Sequence, residues 1–99
     1  MTSSVHDNIP GRRFELEIDD AVAKAFYVRK GNVVTFTHTE VPAAVAGHGV
    51  GSRLARGALE MVRAAGEKVV ARCPFIASWM ARHPEFNDLL VPDDGKEAD

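Results

Sequence analysis

The stretch PAAVAGHGVGSRLARGALEMVRAAG, residues 42–66, decides the fold, because its hydrophobic spacing is that of a helix rather than a strand. From residue 50 onward apolar side chains recur every three or four positions, and charged side chains occupy the opposite side. Gly66 stands where glycine commonly ends a helix. The stretch therefore predicts a glycine-rich turn that opens an amphipathic helix. Its apolar positions are Val50, Leu54, Gly57, Ala58, Met61, Val62 and Ala65, and its charged positions are Arg53, Arg56, Glu60 and Arg63.

Three strand patterns precede this helix. The first alternates apolar and polar residues, which is the period of a half-buried strand. The second and third are joined by Gly31-Asn32, a typical two-residue hairpin turn. Strands joined by such short turns pair antiparallel. We therefore expect an antiparallel meander over residues 13–18, 23–30 and 33–41.

Two further elements follow the helix. Residues 68–73 form a valine-rich run typical of a strand, and residues 75–83 predict a shorter helix that Pro84 ends. A helix between two strands can place the last strand parallel to the third. The sequence therefore predicts an α/β (α+β) fold in which a mixed, mainly antiparallel sheet carries two helices.

The whole chain has the composition of a small soluble protein. Its 99 residues suit one domain, and a formal net charge of −2 gives no general attraction to nucleic acid. No apolar run is long enough to span a bilayer, so we expect a cytoplasmic protein, as a monomer or weak dimer. We expect a domain at residues 13–90, between a flexible tail at 1–12 and an acidic flexible tail at 91–99.

The glycine turn is a candidate anion site. A helix start exposes unpaired N–H groups and the positive end of the helix dipole, and Gly47, Gly49 and Gly51 would let a pyrophosphate approach the backbone. Arg53 and Arg56 lie in the first half of the helix, where the helix dipole disfavours cations unless an anion is nearby. A flexible loop before an amphipathic helix explains the glycines equally well. The Walker and Rossmann phosphate motifs fit this turn less well.

Four ordered motifs make the chain resemble the GNAT acetyltransferases, and in particular their very small single-domain members. They are Thr39-Glu40-Val41-Pro42, the turn Ala46-Gly47-His48-Gly49-Val50-Gly51, Cys73-Pro74-Phe75 and His83-Pro84-Glu85-Phe86. Ala46 stands where the GNAT pattern has Arg or Gln, so one side-chain contact to pyrophosphate is missing. The resemblance implies that acetyl-coenzyme A is bound by Val41, Gly47, His48, Gly49, Val50, Gly51, Ser52 and Arg53.

Acetyl transfer to an amine requires a group that removes a proton, because an amine with a pKa near 10.4 is almost entirely protonated at pH 7. Glu40 is the first candidate base and His38 the second. They are two residues apart on the third strand, so both are expected on one face, with Val34 and Phe36 further back. Alternatively, both are polar residues at the sheet edge that anchor the following loop.

Cys73, the single cysteine, ends the last predicted strand before Pro74. It could protonate the departing thiolate of coenzyme A, or attack the thioester and carry the acetyl group itself. A small buried core residue is the plain alternative. Histidine and cysteine spacing predicts no metal site.

The leading hypothesis is an acetyl-coenzyme A-dependent N-acetyltransferase that acts on a primary amine of a protein, peptide or polyamine by direct attack. Only Asp19-Asp20-Ala21 separates Ile18 from Val22, where larger GNAT enzymes carry helices, so an open acceptor side is expected. The main rival is a coenzyme A-binding module with little catalysis that works through a protein partner. A structural adaptor without a ligand is the third possibility.

Overall fold

A computed structural model describes residues 5–47 and 49–93 of the chain. Within them five strands, two α-helices and two 3-10 helices alternate in one compact unit. The strands are β1 (Val5–Asn8), β2 (Arg13–Ile18), β3 (Ala21–Lys30), β4 (Val33–Glu40) and β5 (Lys68–Ala71). The α-helices are α1 (Val50–Ala64) and α2 (Pro74–Ala81), and the 3-10 helices are Ala43–Val45 and Pro84–Leu89.

The five strands form one sheet in the order β1-β2-β3-β4-β5. The first four pair antiparallel, and β5 pairs parallel to β4. This confirms the predicted meander, the mixed sheet and the crossover through α1. No helix in residues 5–47 and 49–93 has the length and apolar character of a membrane span.

One face of the sheet is covered by helices. Phe14 and Leu16 of β2 pair with Ala25 and Ala23 of β3, and all four are almost fully buried in the same core as α1. Burying a large apolar side chain contributes roughly 1.5–3 kcal/mol, so this face supplies much of the stability. The α-helical residues buried in this core are Val50, Leu54, Ala55, Ala58, Leu59, Val62, Ile76, Trp79 and Met80.

The predicted flexible tail at 1–12 does not hold for its second part, because Val5–Asn8 form an edge strand, and residues 1–4 lie outside the described ones. Its polar side chains find partners that local sequence patterns do not reveal. Glu15 of β2 accepts hydrogen bonds from Asn8 (2.9 Å) and Arg13 (2.5 Å), and lies 3.0 Å from His6. Hydrogen bonds between polar side chains thus hold β1 in the sheet, although its sequence lacks the alternating apolar pattern of a strand.

The C-terminal tail is ordered at its beginning. The backbone N–H of Val91 donates to the carbonyl of Val69 at 3.0 Å, and Leu90 forms a parallel bridge with Val69. Asp93 pairs with Arg72 at 2.7 Å. Residues 91–93 therefore continue along β5, and the rest of the predicted acidic tail lies outside the described residues.

Replacing Glu15 by Gln is expected to reduce stability in a pH-dependent way. Hydrogen bonds from Asn8, Arg13 and His6 lower the pKa of Glu15 from 4.5 to about 2. A carboxylate with a lowered folded-state pKa stabilises the fold above the unfolded value and loses that effect as pH falls through the folded value. We expect Glu15→Gln to lower the free energy of unfolding by about 2 kcal/mol at pH 7. This is the free energy that corresponds to the pKa shift of Glu15, reduced for screening by solvent.

Urea unfolding of both proteins at pH 7, 4.5, 3 and 2 would test this expectation. The difference between them should be constant above about pH 5 and should shrink between about pH 4.5 and 2. A difference that does not depend on pH would mean that Glu15 acts through packing and not through its charge.

A β-bulge at Thr37 changes which residues of β4 face the core. Phe36 pairs with Tyr27, but His38 pairs with Phe26, the next residue along β3, so Thr37 has no opposite residue. Such a bulge restarts the alternation of side chains on the bulged strand. Beyond Thr37, Thr39 pairs with buried Ala25 and therefore points to the helix-covered face. This reversal determines the geometry of the candidate site.

Candidate active site

The N-terminus of α1 has free hydrogen-bond donors. Its N-cap residue is Gly49, which offers no side chain to cap the helix, and its first turn carries no acidic residue. The first intrahelical bond runs from the N–H of Arg53 to the carbonyl of Gly49 at 3.0 Å. Within residues 5–47 and 49–93, the N–H groups of Val50, Gly51 and Ser52 therefore have no acceptor. Together with the helix dipole they can bind an anion.

The glycines of the turn have different roles. Gly47 and Gly49 adopt left-handed backbone angles, with φ of 87° and 73°. A Cβ atom at either position would meet nothing within 4 Å, so the space beside them is open. Gly51 instead allows close packing, because its Cβ would lie 2.8 Å from Cζ of Phe75. A substitution at Gly51 would therefore disturb the contact between α1 and α2.

The other residues expected to bind the cofactor lie in distinct environments. Val41 packs partly against the core, and the side chain of Val50 is buried in it, so Val50 can offer only its backbone N–H. The Ser52 hydroxyl accepts a hydrogen bond from the Trp79 indole at 2.8 Å. Arg53 is exposed and forms no ion pair with any described side chain. The proposed role of His48 falls on a residue outside the described ones.

The Arg56 side chain contacts other residues of the protein, so it is not free to bind a phosphate. It pairs with Glu85 at 3.3 Å and lies over the rings of Trp79 and Phe86, at 5.3 and 5.6 Å. A hydrogen bond from its own backbone and then the Arg56 guanidinium lower the pKa of the Glu85 carboxyl. Arg56 thus ties α1 to the 3-10 helix Pro84–Leu89, which accounts for a cation early in α1 without an anion.

Cys73 lies at the junction between β5 and α2. It is the N-cap of α2, its thiol is buried, and its N–H donates to the carbonyl of Phe36 at 2.9 Å. Its Sγ is 3.2 Å from the hydroxyl of Thr39. Thr39 belongs to one of the four sequence motifs, but its sequence context alone indicates no role. Only the bulge at Thr37 brings it to the thiol, and no local pattern signals that bulge.

The sheet opens between β4 and β5 beside this thiol. The parallel pairing ends at Phe36 and Ala71, whereas β4 continues to Glu40. The N–H groups of Arg72 and Cys73 both donate to the carbonyl of Phe36, so the chain turns away from β4 at this point. Residues 37–40 therefore have no β5 partner in the register, and this edge of β4 is available to an extended ligand.

His38 and Glu40 lie on one face, as expected, but the expectation that Val34 and Phe36 share that face is wrong. His38 stacks on Phe26 with 5.9 Å between ring centroids, on the face away from α1, because the bulge reverses the alternation. The His38 Nε2 and Glu40 Oε2 atoms are 3.2 Å apart, and both side chains are more than half exposed. The Glu40 carboxylate can therefore orient the His38 imidazole. It does not lie on an apolar surface, as expected for a carboxylate acting as the base.

The described residues contain no group of three or more metal-ligating side chains.

The side chains that could take part in acetyl transfer lie on the two faces of the sheet beside the unpaired end of β4. Thr39 and Cys73 are on the helix-covered side with the N-terminus of α1, and His38 and Glu40 are on the other side. This arrangement can hold an extended anionic ligand along the helix side and give a second reactant access from the opposite face.

Comparisons with known proteins identify the family and the fold. The model of the GCN5-related N-acetyltransferase family matches residues 13–89. The fold is similar to the NMR structure of a GCN5-like protein from Staphylococcus aureus that is proposed to be an N-acetyltransferase, with a TM-score of 0.68 and 22% identity over 97% of this chain and 96% of that one. No curated protein matches the chain significantly. The chain belongs to the GCN5-related N-acetyltransferases.

Proposed function

We propose that this protein transfers the acetyl group of acetyl-coenzyme A to a primary amine of a protein, peptide or polyamine by direct attack of the amine. The observation that carries the proposal is the N-terminus of α1, which has no side-chain cap and has three N–H groups without an acceptor among residues 5–47 and 49–93, and which packs against α2, whose N-cap residue is Cys73. Membership of the acetyltransferase family supports the same reaction class. The turn Gly47–Ser52 would hold the pyrophosphate, and the Arg53 guanidinium would add a screened attraction.

The free edge of β4 supports a path for the rest of the cofactor. A pantetheine arm contains amide groups, which can pair with an open strand edge as a further strand would. Residues 37–40 offer such an edge, and Thr39 within it lies against the Cys73 thiol. A cofactor held at its pyrophosphate and along this edge would present its thioester near the Thr39 hydroxyl and the Cys73 thiol.

The two sides of β4 support a division of proton transfers. On the exposed face, His38 oriented by Glu40 would take the proton from the incoming ammonium or amine. The neutral amine nitrogen then forms the C–N bond to the acetyl carbon, the C–S bond breaks, and the nitrogen releases its second proton to solvent, from which Cys73 is reprotonated. On the helix-covered side, the Cys73 thiol beside Thr39 is placed to give a proton to the departing thiolate. In this proposal His38, the second candidate base, is the proton acceptor, and Glu40, the first candidate, orients it.

The acceptor side is open in the described part of the chain. The connection between β2 and β3 is the two-residue turn Asp19-Asp20, so no helix stands beside His38 and Glu40 there. An open surface suits a protruding amine better than a small molecule that needs enclosure. The carboxylates of Asp19, Asp20 and Glu40 would also favour a cationic acceptor.

Calorimetric titration of the purified protein with coenzyme A and with acetyl-coenzyme A tests the proposal. Saturable binding is expected, and acetyl-coenzyme A with a panel of amines should then release free thiol. No binding at millimolar cofactor would contradict the proposal. Binding without turnover on any amine would favour a coenzyme A-binding module that acts through a partner, which the alanine at position 46 and the buried Cys73 thiol make the second candidate.

A further inference from the structure

The hydrogen bond between Trp79 and Ser52 occupies one lone pair of the serine oxygen and restricts where the hydroxyl proton can point. An indole N–H can only donate, so Ser52 Oγ is the acceptor in the 2.8 Å contact. The proton of the Ser52 hydroxyl is then available for another acceptor. Ser52 is exposed, and no described residue takes that proton. It lies in the first turn of α1, beside the free N–H groups of Val50 and Gly51.

Trp79 is held rigidly in place. It is almost fully buried, and the His83 ring stacks on it with 3.6 Å between centroids and an angle of 10°. His83 is itself fixed by a 2.7 Å contact between its Nδ1 and the Trp79 carbonyl oxygen, and Phe86 packs against the indole at 5.6 Å. Arg56 lies over the outer face of the ring. An exposed serine is thus oriented by a buried group whose own position is determined by three neighbours.

We propose that Trp79 is a positioning residue that orients the Ser52 hydroxyl as an additional donor to the phosphate groups of the cofactor. This inference rests on the proposed binding of coenzyme A at the α1 N-terminus. A hydroxyl that is already oriented loses less conformational entropy when it binds. The indole thereby contributes to cofactor affinity without touching the cofactor. It also links the phosphate site to α2, whose N-cap is Cys73, so both ends of the cofactor are positioned from one helix.

A double-mutant cycle on coenzyme A affinity tests the inference. Ser52→Ala is expected to weaken binding about tenfold, the value of one hydrogen bond to a charged group near solvent. Trp79→Phe should weaken it about fivefold, because the serine loses its orientation. The double variant should bind no more weakly than Ser52→Ala alone, since Trp79 acts through Ser52. Additive losses in the double variant would overturn the proposal.

Ile76→Val is the matched structural control. Ile76 is fully buried in α2 and has no contact with Ser52 among the interactions described, so the change loosens α2 packing without altering the serine. Both Ile76→Val and Trp79→Phe should lower the unfolding temperature, but only Trp79→Phe should change coenzyme A affinity. An equal loss of affinity in Ile76→Val would show that α2 packing, and not the hydrogen bond, sets the affinity.

The single tryptophan of the chain provides an independent readout. Coenzyme A that bonds to the Ser52 hydroxyl should change the acceptor strength of Oγ and shift the emission of Trp79, and this shift should vanish in Ser52→Ala at saturating coenzyme A. A wild-type protein that shows no calorimetric binding would refute the cofactor site itself. Binding by the wild type without an emission shift that depends on Ser52 would refute only the role of Trp79.

Discussion

Gly49→Asp is expected to weaken coenzyme A binding about 100-fold while the protein stays folded. Gly49 has a left-handed backbone with φ of 73°, a conformation that Asp and Asn adopt more readily than other residues. Its Cβ would enter open space. A carboxylate there would stand where the pyrophosphate is proposed to bind, and like charges at about 4 Å repel by roughly 1–4 kcal/mol at surface dielectric values. Steric obstruction adds to this repulsion.

The fold should tolerate this change because an acidic residue at the start of a helix is favourable. The aspartate carboxylate interacts well with the positive end of the helix dipole, an effect of about 0.3–1 kcal/mol. Here it partly offsets the strain of the left-handed backbone. We therefore expect an unfolding temperature close to that of the wild type, together with a large loss of affinity. A large loss of affinity with little change in stability is the result that an anion site at the helix N-terminus predicts.

Gly49→Asn is the matched control for charge. Asparagine has the same shape as aspartate and tolerates the same backbone angles, but it carries no charge. It should weaken binding about tenfold or less, so the difference between the two variants measures repulsion of the phosphates. Calorimetry at low and high salt should show this difference shrinking as salt screens it. Unchanged affinity in a folded Gly49→Asp variant would contradict the proposed phosphate site.

Much of this fold could be predicted because its elements carry local signals. The α1 helix has an apolar stripe and a terminal glycine, and the meander has alternating residues around a two-residue turn. The β1 strand escapes such reasoning, since Val5–Asn8 is mostly polar and is held by Glu15, a residue of the next strand. Its stability depends on contacts that exist only after β2 has formed.

The candidate site was predictable only in part, for a related reason. The glycine turn and Cys73 are visible in the sequence, because helix starts and strand ends are local features. The faces of β4 are not, because one extra residue at Thr37 moves every following side chain to the other face. That shift brings Thr39 to Cys73 and places His38 on the exposed side. The ion pair of Arg56 was equally unpredictable, since Glu85 lies 29 residues away in the chain.

Cys73→Ala is expected to lower kcat about tenfold and to leave a functional enzyme. The structure favours a proton donor over a covalent acetyl carrier at this position. The thiol is only 2% exposed and has the Thr39 hydroxyl at 3.2 Å, so an acetyl group carried on Sγ would have little room, whereas giving a proton adds no atom to the side chain. General acid catalysis typically contributes about 100-fold or more, but a thiolate with a pKa near 8.5 leaves well without help, so the loss should be smaller.

Intact-mass analysis separates the two roles of Cys73. Incubation with acetyl-coenzyme A and no amine should leave the protein unmodified if the amine attacks the cofactor directly, whereas a covalent carrier would gain one acetyl mass at Cys73. Cys73→Ser provides the matched variant, because its hydroxyl keeps a hydrogen-bonding group beside Thr39 but is a weaker acid and a weaker nucleophile. Direct transfer predicts a modest loss of kcat in both variants, with the affinity for acetyl-coenzyme A unchanged. Direct attack would give way to a two-step mechanism if an acetylated Cys73 formed and decayed as fast as turnover and Cys73→Ser lost nearly all activity. Full activity in Cys73→Ala would instead show that the residue has only a packing role.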